Sequence, residues 1–347
     1  MPEVTRWGVI GSGGIARRRT IPEGIVPSHR ARLVSVFDMD LSVNQAVAQQ
    51  FNVQACDSLD ELLATDIDAA YVASPAGAHH EQVLACAQAG KHVLCEKPLG
   101  LTVAETEAMI KACEHAQVRI GTAFMMRFQS QHQAALERIE KGQLGRLVFG
   151  RAQLSCWYPP ITGAWRQDPS TGGGGALMDM GGHCIDLLEM FLGNVAKVSC
   201  MINNTVHEYP SEDSAVATLF FENGALAVVD TFFCIRDSAS KNALELHGTG
   251  GSILAAGTIG QGEAGTMTAY LEDPHAAYDA QQQRDASGGI PITPPPANMY
   301  RAEVEEFGDA IREGREPSNS ARLGQRSQAI LNACYESART GRVVEVL

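Results

Sequence analysis

Asp179 and His183 stand at i and i+4 in GGGGALMDMGGHCIDLLEMF, residues 172–191, with Asp186 three further on. On a helix these side chains share a face. An imidazole beside carboxylates has its pKa raised and its orientation fixed, which suits a group that takes a proton from an alcohol near neutral pH. Far upstream, Lys97 follows the apolar run 92–95 in HVLCEKPL. Pro98 restricts the backbone there, so the ammonium is presented at a set place. Plainer readings compete: His183 as a hydrogen-bonded core histidine, Lys97 as an ordinary strand-end lysine. For Asp186 the structural reading is preferred. Gly181 and Gly182 fall inside the predicted helix, where each costs about 1 kcal/mol against alanine. Either something approaches that backbone closely or the helix is locally broken.

A second constellation supplies what proton transfer alone lacks. WGVIGSGGIA places Gly11, Gly13 and Ala16 as G-x-G-x-x-A directly after an apolar run, with Ser12, Gly14 and Ile15 between them. The first glycine permits the tight turn, the second lets a pyrophosphate approach the backbone, and the small third residue lets helix pack on strand. Asp38 ends the next apolar run, where a carboxylate accepts hydrogen bonds from ribose hydroxyls and repels a 2′-phosphate. NAD is therefore the expected cofactor, with NADP kept open by Arg17, Arg18 and Arg19. No metal is expected, because H-E-x-x-H is absent (Leu84 stands where a second histidine would follow His80) and the nine cysteines contain no C-x-x-C pair.

The elements that must position these groups follow from the hydrophobic pattern. Apolar runs at 7–10, 31–37, 69–73 and 92–95 alternate with helical stretches at 41–51, 58–64, 79–89 and 102–116, the pattern of a parallel sheet covered on both faces. After about residue 124 the rhythm changes. Strand-like pieces at 147–156, 196–202, 243–246 and 266–271, and a hairpin around Asn223-Gly224, predict a largely antiparallel sheet. Helices are expected at 129–141, 175–191, 299–312 and 321–339. The fold class is α/β: a Rossmann domain at 1–124, then an α+β domain with a large, mostly antiparallel open sheet at 125–347. Residues 273–297, with prolines at one end and glutamines toward the other, read as a long loop.

Length and charge narrow the partners. At 347 residues, two cores are favoured over one. A net charge of -13 disfavours nucleic acid and acidic membranes, no apolar run approaches the roughly 20 residues of a membrane span, and the start of the chain has no signal-peptide pattern. Scattered cysteines without disulfide spacing fit a reducing compartment, and the cytoplasm is the expected location.

Taken together, these stretches resemble the glucose-fructose oxidoreductase/inositol dehydrogenase/MocA (Gfo/Idh/MocA) oxidoreductases nearly end to end. The resemblance runs through GVIGSGGIA, YVASPAGAHHEQVLACAQAGKHVLCEKPL, MMRFQSQHQAALERIEKGQLGRL, GGGALMDMGGHCIDLLEMFLG and MYRAEVEEFGDAIREGREP. It implies that Lys97 lies beside nicotinamide and substrate, that His183 is the general acid/base and that Asp179 assists it. It further implies that Ser74, Pro75, His79 and Glu96 lie along the cofactor, that Arg127, Trp165 and Arg166 lie near the substrate, and that Lys97-Pro98 is a cis bond. Ala76 departs from the pattern, since many members carry Asn there. The implied reaction is hydride transfer between NAD(P) and a secondary hydroxyl or carbonyl of a sugar, cyclitol or related polyol, with a homodimer or homotetramer formed through the second sheet. The alternatives are a non-catalytic dinucleotide-binding regulator and an NAD-dependent glycosidase.

Overall fold

The computed structural model describes residues 4–262, 265–272, 280 and 288–346. The first sheet is built from β1 (Thr5–Ile10), β2 (Ala31–Phe37), β3 (Gln54–Ala55), β4 (Ala69–Val72), β5 (His92–Cys95) and β6 (Ile120–Thr122), in the order β3-β2-β1-β4-β5-β6. All neighbours are parallel. Every residue of β4 is buried, as a central strand covered on both faces requires. The sequence predicts four of these strands; β3 and β6 are too short to show as apolar runs.

Local sequence sets the helix starts. Asp40 accepts the Ser42 and Val43 N–H groups at the start of α1 (Leu41–Phe51), and Ser58 accepts the Glu61 N–H at the start of α2 (Leu59–Ala64). After α3 (His79–Gln88), a reciprocal Thr102–Glu105 capping box opens α4 (Val103–His115). The connection from β1 to β2 is a wide π-helix, Ala16–Ile25, with Pro22 inside it.

The second sheet contains β7 (Leu147–Ser155), β8 (Val195–Asn203), β9 (Ser214–Phe221), β10 (Leu226–Phe232), β11 (Ala243–Gly248), β12 (Gly251–Ala256), β13 (Thr266–Leu271), β14 (Ile290–Pro291) and β15 (Val344–Glu345). Its order is β14-β13-β12-β11-β7-β10-β9-β8-β15. β7 and β10 are parallel, and the other neighbours are antiparallel. Within the loop expected at 273–297, residues 273–279 and 281–287 lie outside the described residues, while β14 pairs with β13.

The helices of this half are α5 (Ser130–Glu140), the short α6 (Pro169–Gly172), α7 (Gly182–Leu192), α8 (Met299–Glu313) and α9 (Ala321–Thr340). α7 and α9 join one face of the sheet in a core that includes Leu177, Leu188, Ala217, Val229, Leu246 and Ile330. The opposite face carries Val216, Leu226, Leu254 and Tyr270 in exposed positions. α8 returns to the first half of the chain. Val304, Phe307 and Ile311 fill a core with Trp7, Tyr71 and Leu94, and the Trp7 and Phe307 rings lie 5.7 Å apart. The two sheets are thus tied by shared packing as well as by chain connection.

Candidate active site

The glycine turn after β1 is a cradle with one closed side and one open side. Gly11 has φ +75°, and a Cβ there would lie 2.4 Å from the Ser74 nitrogen, so only glycine lets the turn close against the end of β4. Gly14 has φ +43° and faces open space, with nothing within 4 Å of where its Cβ would be. The Gly11 N–H donates to the Phe37 carbonyl at 2.8 Å. The Gly13 N–H donates to Asp38 Oδ2 at 3.0 Å, which joins the turn to the end of β2. The Ser12 hydroxyl is buried without a partner among the described residues. Ala16 is buried in the first domain's core, and Ile15 packs against the second's. Clear space beside a strand-to-helix turn, with an orphaned hydroxyl and a carboxylate at the next strand end, fits a dinucleotide. The three arginines that follow have local partners: Arg17 with Gln50, Arg18 with the Gly14 carbonyl, and Arg19 with Glu23.

Along the same crevice, the Ser74 hydroxyl donates to Gln82 at 2.5 Å. Pro75 leads into a short turn, 76–78. His79 has Nδ1 2.9 Å from the Pro98 carbonyl and Nε2 2.9 Å from the Ser74 carbonyl. It ties the two loops together, and burial holds its pKa below the ordinary histidine value. The Lys97-Pro98 bond is cis. Glu96 is fixed from below: the Tyr71 hydroxyl donates to its Oε1 at 2.5 Å and the Thr20 hydroxyl donates to Tyr71 at 2.9 Å. Burial raises the Glu96 pKa against the opposing pull of Lys97 and the Tyr71 bond.

Lys97 crosses from the first half of the chain to the second. Its Nζ donates to Asp179 Oδ1 at 2.7 Å and to the Asp179 main-chain carbonyl at 2.7 Å. Arg166 Nε forms an ion pair with the same Oδ1 at 2.9 Å, and its guanidinium lies 4.2 Å from the centre of the Trp165 ring. Burial alone would raise the Asp179 pKa, but Arg166 and Lys97 hold it well below the usual carboxylate range. His183 is buried beside Phe124, edge to face at 6.3 Å, and its Nδ1 has no hydrogen-bond partner among the described residues.

Two details of the sequence reading are corrected here. The helix expected over 175–191 is not continuous: residues Leu177–Gly181 form a π-turn before α7 begins at Gly182, the local break that Gly181 and Gly182 leave open. The Asp179 carboxylate on this turn is taken up by Lys97 and Arg166. The His183 pKa is also lowered well below the ordinary value rather than raised, because burial and Lys97 outweigh Asp179. The buried imidazole is therefore neutral at neutral pH.

Arg127 is engaged elsewhere on the same helix. Its Nε lies 2.8 Å from both Asp186 oxygens, and burial pushes Asp186 up to about 6 against the pull of that guanidinium. Among the described residues, no group of three or more His, Cys, Asp or Glu side chains is gathered so as to hold a metal, and no helix is long and apolar enough to cross a membrane.

Comparison with known proteins places the chain in a family. A profile described as "Oxidoreductase family, NAD-binding Rossmann fold" matches residues 5–124, and one described as "GFO/IDH/MocA C-terminal domain" matches residues 132–254. The D-xylose 1-dehydrogenase (NADP(+)) 2 of Haloferax volcanii is 30% identical over 342 residues, which cover 98% of this chain and 99% of the relative. The chain belongs to the Gfo/Idh/MocA oxidoreductase family. Another member of that family, the 1,5-anhydro-D-fructose reductase of Ensifer adhaerens, is 29% identical over 347 residues, 99% of each chain. Levoglucosan dehydrogenase, solved with NADH and levoglucosan, shares the fold at a TM-score of 0.84 and 24% identity over 99% of each chain.

Within this Gfo/Idh/MocA chain, Glu212 and Tyr158 escape the sequence reading. Glu212 accepts backbone N–H groups at the start of the π-turn. Tyr158 lies beside Arg166 and Asp179, its ring 4.9 Å from Phe233. Neither belongs to a spaced motif; both could be found only by knowing which backbone they meet.

Proposed function

We propose that this oxidoreductase transfers a hydride between NAD and the secondary hydroxyl or carbonyl carbon of a sugar, cyclitol or related polyol. The observation that carries the reading is the contact of Lys97 Nζ with Asp179 beside a buried, neutral His183. Gly11 to Ala16 would hold the pyrophosphate, Asp38 the adenosine ribose, and the loops at Ser74–Pro75 and Glu96–Lys97 the nicotinamide end. His79 would support this from behind, since both its nitrogens meet backbone carbonyls. Bound there, the nicotinamide supplies the hydride acceptor or donor.

The protein's own groups then have separable tasks. In the oxidative direction His183 accepts the hydroxyl proton as the hydride leaves the same carbon; in reduction it returns that proton to the carbonyl oxygen. Neutrality is what the base needs, and burial supplies it. Lys97 holds the reacting oxygen, and its positive charge favours negative charge developing there. Asp179 fixes both cations. Trp165 and Arg166 form one wall of the substrate space, while Arg127 serves chiefly to pair Asp186. Asp38 favours NAD over NADP. The functional division falls near residue 124, with α8 serving the first domain's core.

A panel of sugars and polyols with NAD or NADP, followed at the reduced-nicotinamide band, tests the reading. Turnover on one or more members is expected. Silence across the panel together with clear NAD binding would replace it with a dinucleotide-binding regulator; sugar release from a glycoside without net NADH would replace it with glycosidase chemistry.

A second copy of the chain is the proposed occupant of the open sheet face. Exposed Val216, Leu226, Leu254 and Tyr270 share this face with Asp230, which is held by Arg151 and Gln153, so the face offers both apolar area and paired charge. Sedimentation should find a dimer or tetramer, and a concentration-independent monomer would contradict this.

A further inference from the structure

The helical run that carries Asp179 and His183 begins without a cap of its own: Ala176, at the head of the π-turn, makes no side-chain capping bond. A helix start leaves four N–H groups that need acceptors. Here they are met from a distance. Glu212 Oε1 and Oε2 each accept the Gly175 N–H at 2.9 Å, Oε1 also accepts the Leu177 N–H at 2.9 Å, and the Glu212 main-chain carbonyl accepts the Ala176 N–H at 3.0 Å. The Tyr335 hydroxyl donates to Oε1 at 2.9 Å and is in turn approached by the Met178 N–H.

The fit leaves no room for any other residue at the joint. A Cβ on Gly175 would lie 2.0 Å from the Glu212 carbonyl oxygen, and one on Gly174 would lie 1.9 Å from the Tyr335 hydroxyl. Glu212 is itself held still. Its neighbour Asp213 accepts the Thr205, Val206 and His207 N–H groups, each at 2.8 Å, and so pins the loop at the root of β9. Burial raises the Glu212 pKa, while the Gly175 and Leu177 N–H groups oppose that rise. A carboxylate at a helix start is also favoured by the positive end of the helix dipole.

What makes this joint matter beyond folding is where the next residues go. Lys97 Nζ meets the main-chain carbonyl of Asp179 as well as its carboxylate, so the position of the turn's backbone enters the Lys97 contact directly. We propose that Glu212, with Tyr335, is the positioning residue of the active site: it sets the π-turn at the place where Asp179 meets Lys97 and Arg166 and where His183 stays buried. Its bonds run to main-chain N–H groups and to the Tyr335 hydroxyl, so it acts through the turn. The proposal rests on the oxidoreductase reading for its kinetic consequence and on geometry alone for its effect on His183.

The test uses Glu212→Gln, which keeps the size but replaces one acceptor oxygen by an amide that faces the Gly175 N–H, and Tyr335→Phe, which removes one hydroxyl. In the full-length protein, two readouts are taken on folded material: the primary deuterium isotope effect on kcat with substrate labelled at the reacting carbon, and the titration of His183 by NMR. For Glu212→Gln, kcat is expected to fall about 10- to 100-fold with hydride transfer becoming rate-limiting, so that the isotope effect grows. The His183 pKa should move up toward the ordinary value as the burial loosens. Tyr335→Phe should shift both in the same direction by a smaller amount. A loss of rate that only tracks the unfolded fraction, with the isotope effect and the His183 titration unchanged, would overturn the proposal. If the parent protein turns over no substrate, the functional reading fails, and the His183 titration alone decides the clamp.

Discussion

Asp179 and Asp186 lie on the same helical run, the first half-buried and the second buried, and their acidities are shifted in opposite directions. Asp179 meets two cations, Lys97 from the first domain and Arg166 from the loop before α6, and its carboxyl is held well below the usual range. Asp186 meets one, Arg127, and burial pushes it up to about 6. The difference lies in the neighbours rather than in the residue type. Two cations shared by Asp179 and the neighbouring Glu96 still act on His183, and with burial they help keep that imidazole neutral. One cation on one carboxylate makes a pair that holds helix to loop. A buried ion pair is thus a poor marker of a catalytic site until its neighbours are known.

Breaking each pair separately should show the contrast. Asp179→Asn removes the charge that fixes both cations and should lower kcat by about 10²- to 10⁴-fold with the NAD dissociation constant little changed, as read by steady-state kinetics and cofactor fluorescence. Arg127→Met should act the other way, costing about 3 kcal/mol of stability by leaving Asp186 buried and unpaired while KM for substrate moves little. A large rise in KM with unchanged stability would return Arg127 to the substrate.

The pH profile sharpens the same comparison. Only neutral His183 can accept a proton, so oxidation should fall as pH drops through the histidine's pKa in the folded protein. Because that pKa is depressed, the acid limb of kcat/KM should lie below the ordinary value of about 6.5. A limb above that value would mean that Asp179 dominates the imidazole after all. The smallest expected effect is at the cradle. Asp38→Ser should improve NADP relative to NAD by about tenfold, since it removes the carboxylate that repels a 2′-phosphate.

Much of the architecture was legible because it is written in short-range pattern. The two-sided apolar runs ending at Ile10, Phe37, Ala73 and Cys95 announce a parallel sheet, and Gly11-x-Gly13 after the first of them announces its ligand. The candidate side chains Lys97, Asp179 and Arg166 do come together in space. What stayed hidden depends on distance along the chain or on fine geometry. Over five residues the apolar spacing of a π-turn cannot be told from that of an α-helix, so the turn before Gly182 does not show in the pattern. The direction of the His183 shift depends on burial by Phe124 and its neighbours, which no local pattern reveals. Glu212 bonds to main-chain N–H groups, and main chain carries no sequence signature. α8 reads as a helix of the second half, yet its Phe307 sits against Trp7 because the chain returns.

The most direct test of the central claim, that an ammonium from one domain and an imidazole from the other act on one substrate oxygen, is turnover of Lys97→Met measured beside its NADH dissociation constant. The expected result is a loss of kcat of about 10²-fold or more with NADH affinity nearly unchanged. Turnover within about threefold of the parent, or loss of NADH binding in step with activity, would contradict it.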